Sequence, residues 1–384
     1  MLQSANLVTM SIAGPSPRMT TESPTPSQQP SHIELVRAAV LAPTPDNNQP
    51  WRFVSEKDRL LVHLDPARAL PSDVNSMFDL IGLGAAVENA SITARQMGYE
   101  PSVEYASTTP GSGTENGSQP AVALTFTPGG RPDPLYVQLE NRCTCRKLYS
   151  TRRVAQQCLD TLADAGKGFS DVQLDWVTDR SRIRALARLM AASDRIRFEY
   201  EPFHNELFRQ LRFTVDEAER TRDGLDLRTL ELPPGAGVML RPLGSWSRMK
   251  WVHRLGLGRL LTMPSALSVC KSGAIGILSV AEPTSAGFLH GGRAFERIWL
   301  AAQAEDLALQ PLGSLSIFSA HLEILGGEKL SQRHKKRIGR LIDRFERLAP
   351  TASGRTLLIL FRLGSSAPPR HRSLRRPAEE VLTT

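Results

Sequence analysis

The chain has 384 residues, of which 41% are hydrophobic, and its formal net charge at pH 7 is +8. This length and apolar content favour a globular protein with a sizeable core, in one large domain or two smaller ones. The sequence contains no run of about 18 apolar residues, and its start lacks the basic and apolar blocks of a signal peptide. We therefore expect a cytoplasmic protein without a membrane span.

The four cysteines are too few for a disulfide framework, and no CxxC pair or neighbouring histidine accompanies them. We predict no metal site. Cys143 and Cys145 form a CxC, which is either redox-active or simply two ordinary thiols.

The first 30 residues are rich in proline, serine and threonine, and we predict that they form a disordered tail. A helix is expected to begin after Ser31, because Glu34 three residues later completes a capping box. Pro43 ends this helix, since the residue before a proline is pushed out of the helical region.

The segment "APTPDNNQPWRF" at residues 42–53 combines prolines with three carboxamide side chains, Asn47, Asn48 and Gln49. Carboxamides both donate and accept hydrogen bonds, which suits the edge of a flavin or pterin ring, and the prolines would hold the loop in one shape. The alternative is an ordinary helix-to-strand turn in which Trp51 caps the core.

Two short strands in "WRFVSEKDRLLVHL" are expected next, then a helix in "MFDLIGLGAAVENASITARQMGY" with an apolar stripe of many small residues. Further along, residues 181–215 are helical in composition, whereas residues 216–265 keep neither a helical nor a strand period for long. A stretch of this length is usually a lid or a separate excursion. The strand "AIGILSV", the helix "GGRAFERIWLAAQAEDL" and the strand "TLLILFRLG" follow.

Two arginine clusters could bind phosphate. Arg142 and Arg146 flank Thr144, and four further arginines lie within residues 370–376. Guanidinium groups and a hydroxyl can hold a phosphate through charge-assisted hydrogen bonds. An exposed turn and a solvated tail would have the same composition.

Two other segments have a polar and an apolar component. The basic run at residues 333–348 keeps apolar residues at helical spacing, so its charges indicate the solvated face of a helix, and we predict no nucleic-acid partner. The segment "SWSRMKWVHRLGLGRLLTM" at 245–263 would suit either a membrane surface or a lid over a pocket. We favour the lid and predict no membrane partner.

An internal repeat is visible at an offset of 208 residues. "GLGAAVENASITARQ" then aligns with "HGGRAFERIWLAAQA", so that Gly84 meets Gly292 and Glu88 meets Glu296. Either one structural unit occurs twice in the chain, or two helices resemble each other by chance.

Together, "APTPDNNQPWRF", "RCTCRKLY", "GRAFERIWLAAQAEDLALQPLGSL" and the arginine-rich end resemble the FMN-dependent nitroreductase family. The loop precedes the arginines here, and this order is similar to the long, internally duplicated branch typified by mycobacterial Acg-like proteins. The resemblance implies an α+β, nitroreductase-like fold with a central mixed β-sheet flanked by helices and two pseudo-equivalent halves. It implies halves at 31–130 and 141–384, the second with an insertion or lid at about 216–265.

The resemblance also implies an FMN site. The phosphate and ribityl chain would meet Arg142, Thr144, Arg146 and Arg375. The ring would lie against the loop of the other half, and the "QPLGSL" turn would lie near its reactive face. The remaining implied cofactor-binding residues are Pro43, Thr44, Pro45, Asn47, Pro311, Leu312, Gly313 and Ser314.

The implied function is an FMN-dependent oxidoreductase in which NADH or NADPH reduces the flavin and a small conjugated or aromatic substrate is the other reactant. The flavin carries the chemistry, so no catalytic side chain is predicted. The alternatives are a non-catalytic FMN storage protein and a tailoring dehydrogenase in a biosynthetic pathway. We expect a small-molecule substrate, and either a monomer that imitates a dimer or a homodimer.

Overall fold

The computed structural model describes residues 29–106, 119–232 and 235–384. The predicted tail at 1–30 lies outside this part of the chain except for its last two residues. The helices are α1 (His32–Ala39), α2 (Met77–Gln96), α3 (Gln156–Ala165), α4 (Arg180–Glu199), α5 (Glu201–Gln210), α6 (Val215–Thr221), α7 (Ala236–Leu240), α8 (Trp246–Arg254), α9 (Met263–Cys270), α10 (Ser285–Ala304), α11 (Ser314–Glu323), α12 (Gln332–Leu348) and α13 (Ala378–Val381). The strands are β1 (Trp51–Ser55), β2 (Arg59–Leu64), β3 (Tyr99–Tyr105), β4 (Val122–Pro128), β5 (Val172–Val177), β6 (Leu211–Arg212), β7 (Leu225–Asp226), β8 (Ala274–Val280), β9 (Ala308–Leu312), β10 (Thr356–Gly364) and β11 (Leu382–Thr383).

The first large sheet has the strand order β11-β1-β2-β4-β3. Its strands pair antiparallel except β11 and β1, which pair parallel through Phe53 with Leu382 and Val54 with Thr383. The predicted α+β class and mixed sheet are therefore confirmed. The last residues of the described region are thus held against β1.

The second large sheet repeats the first. Its order is β5-β8-β10-β9, with every pair antiparallel. If β5, β8, β9 and β10 are matched to β1, β2, β3 and β4, the two orders are the same. In both sheets a long helix connects the second strand of the matched set to the third, α2 in one case and α10 in the other.

The two long helices form the centre of the molecule and cross at paired glycines. Each has 20 residues, and both ends of α10 lie 208 residues after those of α2. A Cβ on Gly84 would lie 2.2 Å from the Leu289 carbonyl oxygen, and one on Gly292 would lie 2.0 Å from the Ile81 carbonyl oxygen. These four residues are related by the same offset of 208, so the contact is reciprocal. Such a crossing supports a true internal duplication over chance similarity.

The core runs through both halves. One cluster of buried residues includes Trp51 and Leu83 from the first half and Phe295, Trp299 and Phe361 from the second. The sequence predicts one apolar stripe on α2, but the helix is buried more widely than that. Polar residues of α2 such as Glu88 and Asn89 are buried as well. A helix buried on nearly all sides needs partners for those groups, and α10 supplies several of them.

The connection between β5 and β8 is much longer than the turn between β1 and β2. It spans residues 178–273 and contains α4 to α9 with β6 and β7, so it begins earlier than the irregular stretch at 216–265. We call this connection the insertion. None of the helices in the three described ranges is long and apolar enough to cross a membrane.

Candidate functional site

A cavity of about 460 Å³ lies where the two halves meet beneath the insertion. Its floor is formed by the small residues Gly82 and Ala85 of α2, beside Phe295 and Trp299 of α10. The insertion contributes residues of α4 and the start of α9 to the opposite side. A volume of this size is typical of a small-molecule or cofactor site.

The cavity brings together most of the predicted cofactor-binding residues, although they come from four distant segments of the chain. Those that line it are Pro43, Thr44, Pro45, Asn47, Thr144, Arg146, Pro311, Leu312, Gly313, Ser314 and Arg375. Arg142 is not among the lining residues.

Arg142 is a support for this region rather than part of the cavity wall. Its Nε lies 3.0 Å from a carboxylate oxygen of Glu296, in a pair that is almost fully buried. A second nitrogen donates a hydrogen bond to the Leu41 carbonyl oxygen, and the guanidinium lies 4.6 Å from the centre of the Trp299 ring. The phosphate contact of Arg142 stays a prediction, and in this structure the charge of Arg142 is matched by Glu296 inside the protein.

Two of the three carboxamides of the loop, Asn48 and Gln49, bond to other parts of the protein. Asn48 donates to the Asp79 carboxylate at 2.8 Å, and Gln49 donates to the Arg222 carbonyl oxygen at 2.8 Å. The Gln49 oxygen accepts from the backbone N–H of Arg376 at 2.8 Å. These two amides therefore join the loop to α2, the insertion and the C-terminal segment.

The loop conformation explains part of its composition. Asp46, Asn47 and Gln49 have φ angles of 46°, 58° and 51°. Aspartate and asparagine tolerate this left-handed region better than most residues, because their short polar side chains bond locally. Trp51 directly behind the loop is fully buried, as the alternative of a core cap predicted.

Asn47 holds Arg375 at the cavity. Its side-chain oxygen accepts a hydrogen bond of 2.8 Å from Arg375, and its amide nitrogen donates to the Leu374 carbonyl oxygen at 3.0 Å. Burial, together with the nearby charge of Arg142, lowers the pKa of Arg375 to about 9. The buried Nε of Arg375 has no hydrogen-bond partner among the described residues. A guanidinium in this state gains from any anion placed beside it.

Arg146 is the second available cation in the cavity. Its described hydrogen bond goes to the Thr229 carbonyl oxygen at 3.2 Å, and burial lowers its pKa. Its neighbour Thr144 is held by a parallel bridge to Leu309 at the start of β9. One guanidinium from each of two segments thus faces the same space.

The insertion places a carboxylate in the cavity that sequence reasoning missed. Asp194 of α4 accepts hydrogen bonds from the hydroxyls of Ser314, at 2.5 Å, and Ser265. Burial raises its pKa. Its neighbour Arg197, one turn later, pairs with Asp46 of the loop. The spacing of three residues places both groups on one helix face, but a sequence alone gives no sign of where that face points.

Several hydrogen bonds hold the insertion against the loop. Besides the bonds from Gln49 to Arg222 and from Arg197 to Asp46, the backbone N–H of Gly224 donates to the Asn47 carbonyl oxygen at 3.3 Å. Arg68 pairs with Asp223 at 2.6 Å. The insertion is therefore closed over the cavity in this structure.

The position related to the cavity floor by the internal repeat carries larger side chains. Gly82 and Ala85 of the floor correspond to His290 and Arg293 at the offset of 208. His290 lies 3.0 Å from the Asp171 carboxylate and packs edge-on against Tyr105. Arg293 bonds to both Glu88 and the Tyr105 hydroxyl. Large paired side chains occupy the space that glycine and alanine leave open in the first copy.

The described ranges contain no group of three or more histidine, cysteine or acidic side chains that could hold a metal ion. All four cysteines are free thiols.

No protein-family model matches the chain. A curated relative is "Uncharacterized protein MT1398" of Mycobacterium tuberculosis (strain CDC 1551 / Oshkosh), which is 28% identical over 358 residues. The match covers 91% of this chain and 47% of the relative, so the chain spans about half the length of the curated protein that it matches.

Solved structures with some similarity include three flavin-associated proteins. An FMN-dependent nitroreductase from Mycobacterium smegmatis in complex with NADPH is 15% identical, with 64% of this chain and 96% of that chain covered and a TM-score of 0.37. Iodotyrosine deiodinase bound to FMN and 3-iodo-L-tyrosine is 12% identical, with 63% and 95% covered and a TM-score of 0.35. The NADPH:FMN oxidoreductase from Vibrio harveyi complexed with NAD⁺ is 12% identical, with 66% and 77% covered and a TM-score of 0.35. Scores of this size carry no argument by themselves.

Proposed function

We propose that the chain binds FMN in the cavity and acts as a nitroreductase-like oxidoreductase. The observation that carries the proposal is the pair of incompletely satisfied guanidinium groups, Arg146 and Arg375, that line the same cavity. The other charged side chains of the wall, Asp46, Asp194 and Arg197, are bonded within the protein. A buried guanidinium nitrogen without a partner is costly, and a phosphate group would remove that cost through charge-assisted hydrogen bonds.

The rest of the cavity fits the ring system of a flavin. Gly82 and Ala85 leave space above α2, where a Cβ on Gly82 would already lie 2.9 Å from the Thr44 side chain. Phe295 and Trp299 offer apolar surface, while the turn at Pro311–Ser314 offers backbone groups along one edge. A mainly apolar wall with a few placed polar groups is the usual design of a cofactor site.

FMN, when bound, would supply hydride transfer between a nicotinamide donor and an acceptor. The residues of the chain would bind, orient and shield it. Arg146 and Arg375 would hold the phosphate, and their positive charges would stabilise its negative charge. Asn47 would fix Arg375, and Asp194 would fix the Ser314 hydroxyl at the other end of the cavity.

The finer assignments belong to the same proposal. NADH or NADPH would be the donor, and the second substrate would be a small conjugated or aromatic molecule. Because the two halves already pack their central helices against each other, the chain can supply both sides of the site as a monomer.

One observation favours FMN storage as a second candidate. The insertion is tied to the loop by Gln49, Arg197 and Gly224, so a bound flavin would be covered. A tailoring dehydrogenase for a large substrate would need this cover to open.

Reduction of bound FMN separates these functions. The purified protein is loaded with FMN, freed of oxygen and mixed with NADH or NADPH, and the flavin absorbance is followed. If the protein is an oxidoreductase, the nicotinamide reduces the bound flavin and its absorbance falls. The absorbance returns when a quinone or nitroarene is added. A flavin that stays oxidised supports storage, whereas a protein that takes up no FMN contradicts both.

A further inference from the structure

The outer surface of the insertion exposes an unusual concentration of large apolar side chains. Twelve such side chains are exposed in the described ranges, and eight of them fall between residues 238 and 267. Trp251 is 61% exposed and Leu255 is 68% exposed. The eight are Val238, Met239, Trp251, Leu255, Leu257, Leu260, Met263 and Leu267. A clustered apolar surface of this kind marks an interaction site more often than scattered exposed residues do.

The same stretch carries only positive charge. Between residues 235 and 281 the sequence contains no aspartate or glutamate, whereas it contains six lysines and arginines, all of them exposed. These are Arg241, Arg248, Lys250, Arg254, Arg259 and Lys271. The guanidinium of Arg254 lies 5.2 Å from the centre of the Trp251 ring, so basic and apolar groups are interleaved.

These residues belong to one continuous series of packed short helices. Helix α7, the short helix Arg241–Gly244, α8, the short helix Leu257–Thr262 and α9 contact each other in chain order, and the last three also contact α4. Met249, Thr262 and Val269 are buried, while their neighbours point outward. We call the exposed apolar and basic side chains of this layer the basic apolar patch.

We propose that the basic apolar patch binds the surface of an anionic lipid bilayer. Short helices with leucine, methionine and tryptophan on one side and with arginine and lysine around them can place their apolar side chains at the boundary between headgroups and acyl chains. The six cations complement acidic headgroups, and each basic residue near such a surface strengthens binding by about fivefold. The proposal changes the expectation from sequence that the chain has no membrane partner.

A second copy of the chain is a poorer occupant. A symmetric dimer would place the patch against itself, and all 12 cations of the two copies would meet without a carboxylate from residues 235–281. Like charges brought together in this way oppose association. An anionic bilayer accepts the apolar side chains and the charge at once.

The patch is also close to the cavity. Pro264, Ser265 and Ser268 line the cavity, while Met263 and Leu267 of the same helix belong to the patch. A bilayer bound at the patch would therefore contact the outer side of the element that covers the cavity.

Vesicle co-sedimentation of the full chain tests the proposal. One set of vesicles contains phosphatidylcholine and phosphatidylglycerol in equal parts, and the other contains phosphatidylcholine alone. We expect the protein to sediment with the mixed vesicles and not with the neutral ones, and we expect high salt to weaken the binding. The double variant Trp251→Asp with Leu255→Asp should bind at least about tenfold more weakly.

A matched control removes equally exposed apolar residues elsewhere. Val137→Asp with Leu148→Asp changes side chains that are 66% and 53% exposed outside the patch, and it should bind as the parent does. The proposal is overturned if the parent ignores both kinds of vesicle, if the two double variants behave alike, or if neutral vesicles bind equally well. A dimer in light scattering that only the Trp251 and Leu255 variant dissociates, without vesicle binding, would assign the patch to self-association instead.

Discussion

Two arginines four positions apart, Arg142 and Arg146, have opposite surroundings. Arg142 is buried against Glu296, whereas Arg146 lines the cavity with a single described bond to Thr229. The spacing suggested a shared phosphate, but the segment between them is not helical, so four residues do not bring two side chains to one face. Their substitutions should therefore have different effects.

The variant Arg146→Met should lose FMN affinity while it keeps the fold. One charge-assisted hydrogen bond of this kind contributes about 1.5–3 kcal/mol, so the dissociation constant should rise by about 10- to 100-fold. Fluorescence quenching of added FMN measures the affinity, and urea unfolding checks the stability. Unchanged FMN affinity would show that the phosphate does not meet Arg146.

The variant Arg142→Met should instead lower the free energy of unfolding by about 3–5 kcal/mol, because Glu296 would remain buried without its partner. The double variant Arg142→Met with Glu296→Leu should recover much of that loss, since a buried ion pair replaced by apolar residues is often neutral. Denaturant unfolding of both variants measures this. If the single variant were as stable as the parent, the support assigned to the pair would be wrong.

At the scale of single elements, the crossing of α2 and α10 depends on glycine. Replacing Gly84 with alanine raises helix propensity, yet the new Cβ would overlap the Leu289 carbonyl oxygen. We expect Gly84→Ala to destabilise the protein by about 1–3 kcal/mol or more, as overpacking does. Thermal unfolding measures the change.

The control for this prediction is Gly339→Ala in α12. The Cβ there would have its nearest neighbour at 3.9 Å, so the substitution should be neutral or raise the unfolding temperature. Equal behaviour of the two variants would mean that the two long helices do not approach as closely as described.

The start of α2 predicts a pH effect. Burial raises the pKa of Asp73 to about 6 and that of Asp79 to about 8. The charge of Asp73 adds to the increase in the pKa of Asp79, and the charge of Glu206 adds to the increase in the pKa of Asp73. An acid whose pKa is higher in the folded state holds its proton there after the unfolded chain has lost it. The contribution of such an acid to the free energy of unfolding is therefore full below its unfolded pKa of about 4. It falls as the pH rises from there through the higher pKa of the folded state.

The variant Asp79→Asn removes this titration while it can keep the bond to Asn48. Its unfolding temperature relative to the parent should consequently increase from pH 5 to pH 8. Parallel melting curves at several pH values measure the difference. A difference that is constant with pH would show that Asp79 is ionised in the folded state throughout.

Sequence patterns predicted the helices and strands better than they predicted the hydrogen-bond partners of individual side chains. The small residues of α2 and the repeat at 208 indicated the duplicated helix, because periodicity is a local property. The composition of the loop predicts a ring contact for Gln49, but its side chain bonds to Arg222 and Arg376, which lie far along the chain. Nothing in residues 47–49 specifies such distant partners. Asp194 was missed for the same reason, since its place in the cavity depends on the path of the insertion.

At the scale of the whole molecule, the duplication has produced two unequal positions. The offset of 208 relates the cavity floor at Gly82 and Ala85 to His290 and Arg293, whose paired side chains fill the second position. A chain that imitates a symmetric dimer would offer two equivalent sites, but in this one the second position carries paired histidine and arginine side chains where the first has glycine and alanine. The proposed function therefore implies one FMN for each chain.

The most direct test is a titration of the purified, flavin-free protein with FMN, followed by fluorescence quenching at protein concentrations well above the dissociation constant. Binding should saturate at one FMN per chain in the parent, and Arg375→Met should weaken it strongly while the protein stays folded. Saturation at two FMN per chain, no binding at all, or unaltered binding by Arg375→Met would contradict the assignment of this cavity as the single flavin site.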